Sequence, residues 1–283
     1  ERIGEVMKQK VAKTDFSEQN LPHNRKEVFF DCVKLYWQKL LLLGLIMLAC
    51  AVPLLTVSVV CDTVQQGLSR QLEDGVIDKV AYNGQAAWLR FAEALIDIPC
   101  YVIVCVGLSG TVRVTRQMIW AEPLFFANDF ADGIKQNWLT FCLCGFLVSL
   151  LNVYLAFAES SGGGLPAYLP LGVVAIVVLP TALWMMAASS VYNIGIGKNI
   201  TNSFVLYIKT PFVTWLFVAL FASVAIPGLI GFVALRCIFL AAFIVVLLPA
   251  FVMLWQLVCY SYFDKFINKQ AYPEIVDKGI WRL

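Results

Sequence analysis

The sequence predicts an all-α membrane protein with six transmembrane helices. Three observations predict this fold: the composition, the number of long apolar runs and the placement of the basic residues. Of the 283 residues, 60% are hydrophobic and 14% are charged, whereas soluble domains average about 45–50% apolar and about 25% charged residues. This composition excludes a soluble domain, a disordered chain, a coiled coil and a collagen. The net charge of +2 is small, so nothing indicates nucleic acid as a partner.

Six apolar runs match the length of about 20 residues that a helix needs to cross a bilayer. They cover residues 40–60, 98–120, 138–157, 168–194, 212–230 and 238–260. The last two come from one stretch that is too long for a single span, and the expected turn is marked by Pro227, Gly228, Gly231 and Arg236. We therefore expect a six-span domain over 40–262, between an amphipathic cytoplasmic segment, 1–39, and a cytoplasmic C-terminal tail, 263–283.

The basic residues predict how this domain is oriented. Lysine and arginine are enriched in the cytoplasmic loops of membrane proteins. Of the 21 basic residues, 17 lie on one predicted side, in residues 1–39, 113–137, 195–211 and 263–283. The other side carries four, three of them in the long connection 61–97. We therefore expect both termini to be cytoplasmic and the loop 61–97 to face outward.

A short pattern recurs before three of the predicted spans. It consists of a phenylalanine followed by a lysine and, three residues after the lysine, an aromatic residue. The residues are Phe29, Lys34 and Trp37, then Phe130, Lys135 and Trp138, then Phe204, Lys209 and Phe212. The pattern predicts three tandem units, each with an amphipathic cytoplasmic helix and two spans, whose exposed side chains are available for docking. The alternative is that the pattern marks a membrane interface, where aromatic rings and snorkelling lysines collect.

Two of the returning spans carry a proline at similar places, Pro180 and Pro249. A proline inside a helix removes one backbone hydrogen bond and tends to kink the helix. Both positions are therefore candidate kinks, which act either as hinges or as static packing features.

Arg113 and Arg116 form the most conspicuous charged pair near a span. Their i,i+3 spacing places them on one face of a helix. Charges inside a bilayer usually face a cavity or a partner, so the pair is a candidate polar or substrate site. The other interpretation is that both arginines lie at the inner interface and anchor the helix to lipid phosphates.

The sequence contains no pattern that indicates an enzyme. A single histidine, His23, excludes a multi-histidine metal site. Phosphate-binding glycine motifs and zinc-protease motifs are absent from the sequence, so we expect no cofactor and no catalysis. A disulfide framework is not expected among the nine cysteines. If one bridge forms, Cys61 with Cys100 or with Cys237 fits best, because these residues lie near one predicted membrane face.

One segment resembles a known family. Phe125, Phe126, Asp129 and Phe130, followed by the residues Ile134 to Trp138 that open a span, are similar to the phenylalanine-rich segment of the YesL-like family. Members of that family are bacterial integral membrane proteins of unknown function, often encoded beside sugar ABC importers. The resemblance implies a multi-pass protein of the bacterial plasma membrane, and it supplies no catalytic residues.

Two functions are consistent with these observations. The first is a non-enzymatic accessory or scaffold subunit, associated with a carbohydrate ABC importer or a related envelope complex and in contact with its permease and ATPase. The second is a small-molecule transporter or channel with a site near Arg113 and Arg116. In both cases the lipid bilayer surrounds the spanning helices.

Overall fold

Nearly all of the described chain is helical. The computed structural model describes residues 22–161, 164–230 and 232–280, and no strand occurs within these ranges. The helices are α1 Arg25–Glu73, α2 Lys79–Ile119, α3 Phe126–Ser160, α4 Gly164–Val191, α5 Ile196–Lys209, α6 Pro211–Ala222, α7 Val233–Ala242, α8 Leu248–Phe263 and α9 Lys269–Ala271. Short 3₁₀ segments cover Ser223–Leu229 and Pro273–Ile275, and single π-helical turns cover Phe243–Leu247 and Asp264–Asn268. The all-α membrane fold predicted from the composition is confirmed.

The first two helices form a long antiparallel hairpin. Helix α1 is kinked at Tyr36, and at 1.5 Å per residue its 49 residues have a summed length of about 74 Å, more than twice the roughly 30 Å of a hydrocarbon core. Asn24 caps α1 by accepting from the backbone N–H groups of Lys26 and Glu27. The segment 61–97, expected as a loop, is helical except for the turn between Glu73 and Lys79. Each helix continues past its apolar run, because the polar residues outside the lipid also form a helix.

Helices α2 and α3 pack closely because glycines lie between them. A Cβ atom added at Gly133 on α3 would lie 2.6 Å from Cβ of Arg113 and 2.9 Å from the carbonyl oxygen of Ser109. At Gly145 it would lie 3.0 Å from the Tyr101 carbonyl oxygen. Small residues are what allow two membrane helices to approach this closely.

Within the described residues, five helical stretches are long and apolar enough to cross a membrane, the last of them Val233–Ala271, and counting a bent helix pair as one span makes six. The bent pair joins α5 to the segment Pro211–Pro227 at an angle of 104°. Pro211 begins α6 at a position where its missing N–H costs no hydrogen bond. Helix α5 therefore runs across the direction of the span that follows it, and the predicted run 212–230 is a 12-residue α-helix extended by a 3₁₀ segment.

The final apolar stretch turns near Pro227 and Gly228, as the sequence predicted, while Gly231 lies outside the described residues. The 3₁₀ segment ends at Leu229 and α7 begins at Val233. Arg236, which we expected to mark the turn, lies inside α7 instead. It is held there by an ion pair with Asp62 of α1, so its charge is neutralised against a neighbouring helix rather than exposed in a loop.

The beginning of α1 and the end of the chain lie together. Arg25 forms an ion pair with Asp264 at 2.7 Å and donates to the carbonyl oxygen of Lys278 at 2.9 Å. We call this the terminal end of the bundle, and the opposite end, which carries residues 61–97, the hairpin end. If Arg25 and Asp264 lie at one end, the chain between them crosses an even number of times. The ion pair therefore favours counting the bent pair as one span, which makes six.

Candidate functional site

A charged chamber opens between the helices at the hairpin end. Its volume is about 480 Å³, within the range of about 300–1,000 Å³ that is typical of small-molecule sites. Helices α1, α2, α3 and α7 line it, together with the 3₁₀ segment after α6 and the π turn before α8. The polar side chains in the lining are Ser58, Arg90, Glu93, Asp97, Tyr101, Asn152, Glu159 and Arg236.

Asp97 is the buried carboxylate of this chamber. Its residue is only 8% exposed. Asn152 of α3 donates to its Oδ2 atom at 3.4 Å, while its Oδ1 atom is buried and has no hydrogen-bond partner. An unsatisfied acceptor in a buried place costs free energy unless something binds it. A buried carboxylate oxygen without a partner, on a residue that lines a cavity, is therefore a feature that points to a ligand.

Each of the two arginines of the chamber forms an ion pair with a carboxylate of the protein. Arg90 donates to Glu93 at 3.2 Å, and Arg236 is paired with Asp62. The charged neighbour of Asp97 is Glu93, one helical turn earlier on α2 and of the same sign. The charge that remains uncompensated in the chamber is therefore negative.

The chamber is closed toward the middle of the bundle. Met47 and Ala51 of α1 pack against Ile244 of the π turn, and Ala51 and Ile244 also line the chamber floor. Pro249 lies four residues after Val245 and cannot donate to the Val245 carbonyl group. That carbonyl is packed against Gly44 of α1, where an added Cβ would lie 2.6 Å from Cα of Val245.

The candidate kinks thus differ in their surroundings. Pro249 lies directly after the π turn Phe243–Leu247, which interrupts the regular helix. Pro180 is buried within α4, and the helix continues through it from Gly164 to Val191.

Arg116 is not in the chamber but caps a helix. Its guanidinium donates to the carbonyl oxygen of Ser190, in the last turn of α4, where the backbone lacks partners and the helix dipole is negative. The same group lies 4.8 Å from the ring centre of Trp120. Arg113 is half-buried and donates to Gln136 at 3.4 Å. The structure therefore gives the two arginines different surroundings on one helix face, and neither lines the chamber.

The lysines of the repeated pattern, and the aromatic residues three positions after them, are exposed. All three lysines, Lys34, Lys135 and Lys209, and the aromatic residues that follow them, Trp37, Trp138 and Phe212, are exposed. Phe29 and Phe130 are half-buried, and the Phe130 ring packs against Gly110. Phe204 is exposed on α5, and Lys209 lies 4.7 Å from the ring centre of Phe266.

Helix α5 exposes its apolar residues and buries polar ones. Asn199 donates to the Met185 carbonyl oxygen at 3.2 Å and accepts from Ser203 at 3.2 Å. Ile200, Phe204 and Ile208 are exposed along the other side. Because α5 also runs across α6, this arrangement is typical of a helix that lies in a membrane interface.

The terminal end is closed by a polar network. Asp264 accepts from Arg25, from Asn268 at 2.7 Å and from the backbone N–H of Asp277 at 3.2 Å. Tyr192 donates to Asn268. Burial, with Asp264 nearby, raises the pKa of Tyr192 above its ordinary value, so the hydroxyl stays protonated as a donor. This network holds the tail against the bundle. Its charged side chains, Arg25 and Asp264, pair with each other and do not line a cavity like the chamber.

The sequence did not assign a role to the chamber residues. In the sequence, Asp97 directly precedes the apolar run 98–120, and Asn152 is a polar residue within the run 138–157. The available signal was the spacing of Glu93, Asp97 and Tyr101, which places three polar side chains on one face of α2. All nine cysteines are free, and none of them lines the chamber. Within the described residues, no group of three or more His, Cys, Asp or Glu side chains is placed to hold a metal ion.

The fold and the site define a polytopic helical membrane protein with a charged chamber at one end. In comparisons with known proteins, no family model matches the chain, and no curated protein and no solved structure matches it either. The likeness to the YesL-like family therefore stays a prediction.

Proposed function

We propose that the chain is a non-enzymatic membrane protein that binds a small polar solute in the charged chamber, as a transporter or channel does. The observation that carries the proposal is the unpartnered, buried oxygen of Asp97 in the wall of a cavity of about 480 Å³. An ionisable residue inside a membrane protein usually marks a substrate or ion pathway. This places the site at the hairpin end rather than beside Arg113 and Arg116.

The lining supports binding rather than catalysis. Covalent catalysis needs a nucleophile within hydrogen-bonding reach of a base. Ser58 places a hydroxyl group in the lining. Among the described residues, no hydrogen bond joins this hydroxyl group to a base. The π turn beside the chamber supplies a place where a path can open, since π turns recur at functional sites.

A blocked chamber tests the proposal. Leu54 lines the chamber on α1, and Leu45 on the same helix is 53% exposed and lies outside it. We expect small-solute ligands found by thermal-shift screening of the purified protein to lose affinity in Leu54→Trp and to keep it in Leu45→Trp. Ligands that bind both variants equally well, or a broad solute library that yields none, would contradict the proposal.

A second candidate is the accessory subunit of a carbohydrate ABC importer in the bacterial plasma membrane. It is supported by the resemblance to the YesL-like family and by the exposure of Trp37, Trp138 and Phe212 beside three exposed lysines. Exposed aromatic residues are enriched where proteins bind one another.

Affinity purification in mild detergent tests this second candidate. We expect importer subunits to co-purify with the chain, and their recovery to fall when Trp37 and Trp138 are both changed to alanine. Trp88→Ala, at the hairpin end, is the matched control because Trp88 is also exposed. Recovery of the chain alone, under conditions that keep the importer intact, would exclude the accessory role.

A further inference from the structure

We propose that the ligand of the charged chamber carries an organic ammonium group, which the carboxylate of Asp97 binds. This inference rests on the proposed function, since it names the chemical class of the solute that the chamber takes. It is carried by the charge of the chamber, by the side chains beside Asp97 and by the apolar remainder of the lining.

The charges of the chamber favour a cation. The guanidinium groups of Arg90 and Arg236 each have a carboxylate partner. Asp97 has no cationic partner among the described residues, and its charged neighbour Glu93 is also negative. Glu159, at the end of α3, adds another carboxylate to the lining. An anionic ligand would meet two arginines whose charges are already balanced by carboxylates, whereas a cation would meet a carboxylate that has no cationic partner.

The side chains beside Asp97 favour an ammonium group over other cations. Tyr101 lies four residues after Asp97 on α2, and both line the chamber, so a carboxylate and an aromatic ring share one helix face. This combination is the one that recognises ammonium groups, through a charge-assisted contact and a cation–π contact. A metal ion requires several converging ligands, and the described residues do not provide such a group.

The remainder of the lining is apolar and accommodates a carbon skeleton. Leu54 and Leu55 of α1, Leu155 of α3 and Ile244 of the π turn face the same space as Asp97. Asn152 donates to Oδ2 of Asp97 and so orients the carboxylate, whose other oxygen has no hydrogen-bond partner. The expected ligand is therefore a small amine or quaternary ammonium compound with an aliphatic portion.

Thermal-shift measurements on the full chain in detergent test the inference, with choline, ethanolamine, acetate and glucose as probes. We expect choline and ethanolamine to raise the melting temperature saturably, and acetate and glucose to leave it unchanged. Asp97→Asn should weaken the apparent Kd for both amines about tenfold or more, because a neutral amide replaces the charged acceptor. Asp74→Asn, in the exposed turn of the hairpin, should keep the wild-type Kd.

A second variant covers the case in which Asp97→Asn does not fold. Tyr101→Leu should weaken choline binding about threefold or more, through loss of the aromatic face. Amine binding that is equal in wild type and Asp97→Asn would overturn the inference, and so would the absence of any amine effect. If glucose stabilises the wild type and not Leu54→Trp, the ammonium assignment is wrong while the proposed binding function stands.

Discussion

A buried arginine without a carboxylate partner is tolerated here because a helix end takes the place of the carboxylate. Arg116 donates to the Ser190 carbonyl group and lies over the ring of Trp120. A cation near a helix C-terminus is stabilised by up to about 2 kcal/mol when it is partly buried. The residue is thus explained by the packing of α2 against α4.

Replacing Arg116 tests this explanation. We expect Arg116→Met to lower the free energy of unfolding by about 1–2 kcal/mol, since it removes the donor and the stacked cation. Arg116→Lys should recover part of the loss, because lysine keeps the charge but not the planar group. Arg113→Met is the control, with an expected change below about 0.5 kcal/mol. Unfolding in mixed detergent micelles measures all three, and equal losses at Arg113 and Arg116 would refute the explanation.

Gln256 joins α8 to α2 through both ends of its amide. Its Nε2 atom donates to the Val112 carbonyl oxygen at 2.6 Å, and its Oε1 atom accepts from Thr115 at 2.6 Å. Hydrogen bonds between membrane helices contribute about 0.6 kcal/mol on average and at most about 1.7. We therefore expect Gln256→Leu to lower the free energy of unfolding by about 1 kcal/mol.

A double-mutant cycle with Thr115→Val isolates the shared hydrogen bond. The single Thr115 hydroxyl hydrogen is shared with the Thr111 carbonyl oxygen, at 2.8 Å, and Thr115→Val alone should lower the free energy of unfolding by about 0.5–1 kcal/mol, because it leaves the buried Gln256 Oε1 atom without its donor. The coupling free energy in the same micelle assay should lie near 0.5 kcal/mol. Strict additivity of the two changes would show that the hydrogen bond is energetically silent.

Individual residues were only partly predictable from the sequence. Arg113 and Arg116 stand out in a hydropathy profile because they are charges beside an apolar run. Asp97 does not, since it lies at the edge of its run and its importance depends on which helix faces it. The unpartnered oxygen follows from the positions of Asn152 and Glu93 around it, and those positions are set by packing.

At the scale of elements, the contact between α1 and the π turn has little tolerance for added volume. Gly44 is packed against the backbone of Val245, so a methyl group there has no space. We expect Gly44→Ala to lower the free energy of unfolding by about 1–3 kcal/mol, the usual cost of overpacking. Because the clash displaces the π turn, it should also weaken solute binding in the chamber.

Gly67→Ala is the matched control for Gly44→Ala. Gly67 lies in the same helix with nothing within 4 Å of an added Cβ, and alanine favours a helix over glycine by about 1 kcal/mol. The control should therefore be neutral or stabilising in the same unfolding assay. A loss of stability in both variants would show that helix α1, and not the contact with Val245, determines the effect.

The elements themselves were predictable to different degrees. Long apolar runs located α3 and α4 correctly, because lipid contact requires such runs. They did not locate the ends of α1 or the start of α2, since polar residues continue a helix in water without any change in backbone. The bend at Thr210 was also hidden, because Pro211 is compatible with both a bend and a helix start.

For the whole molecule, the contact between Arg25 and Asp264 predicts an even number of membrane crossings. We expect a fluorescent protein fused after residue 280 to be fluorescent in the cytoplasm, because the basic residues favour a cytoplasmic terminal end. Alkaline phosphatase inserted at Gly75, in the hairpin turn, should be active outside the cell. A dark fluorescent protein and an inactive phosphatase would invert the orientation, and a bright fluorescent protein with an inactive phosphatase would require an odd number of crossings.

The chamber illustrates what a whole-molecule view adds to a sequence. In its wall, Asp97 of α2 contacts Asn152 of α3, and Arg236 of α7 pairs with Asp62 of α1 beside the wall. Hydropathy predicts how many helices cross the membrane but not which of them are neighbours. The fold class therefore follows from composition, while the site depends on helix packing that composition does not specify.

The clamp between Arg25 and Asp264 also orders events during biosynthesis. The arginine leaves the ribosome among the earliest residues of the first helix, whereas its carboxylate follows 239 positions later. Until translation is nearly complete, the guanidinium has to be accommodated by lipid headgroups or water. A chain arrested before Asp264 would therefore lack the carboxylate that joins the start of α1 to the end of α8.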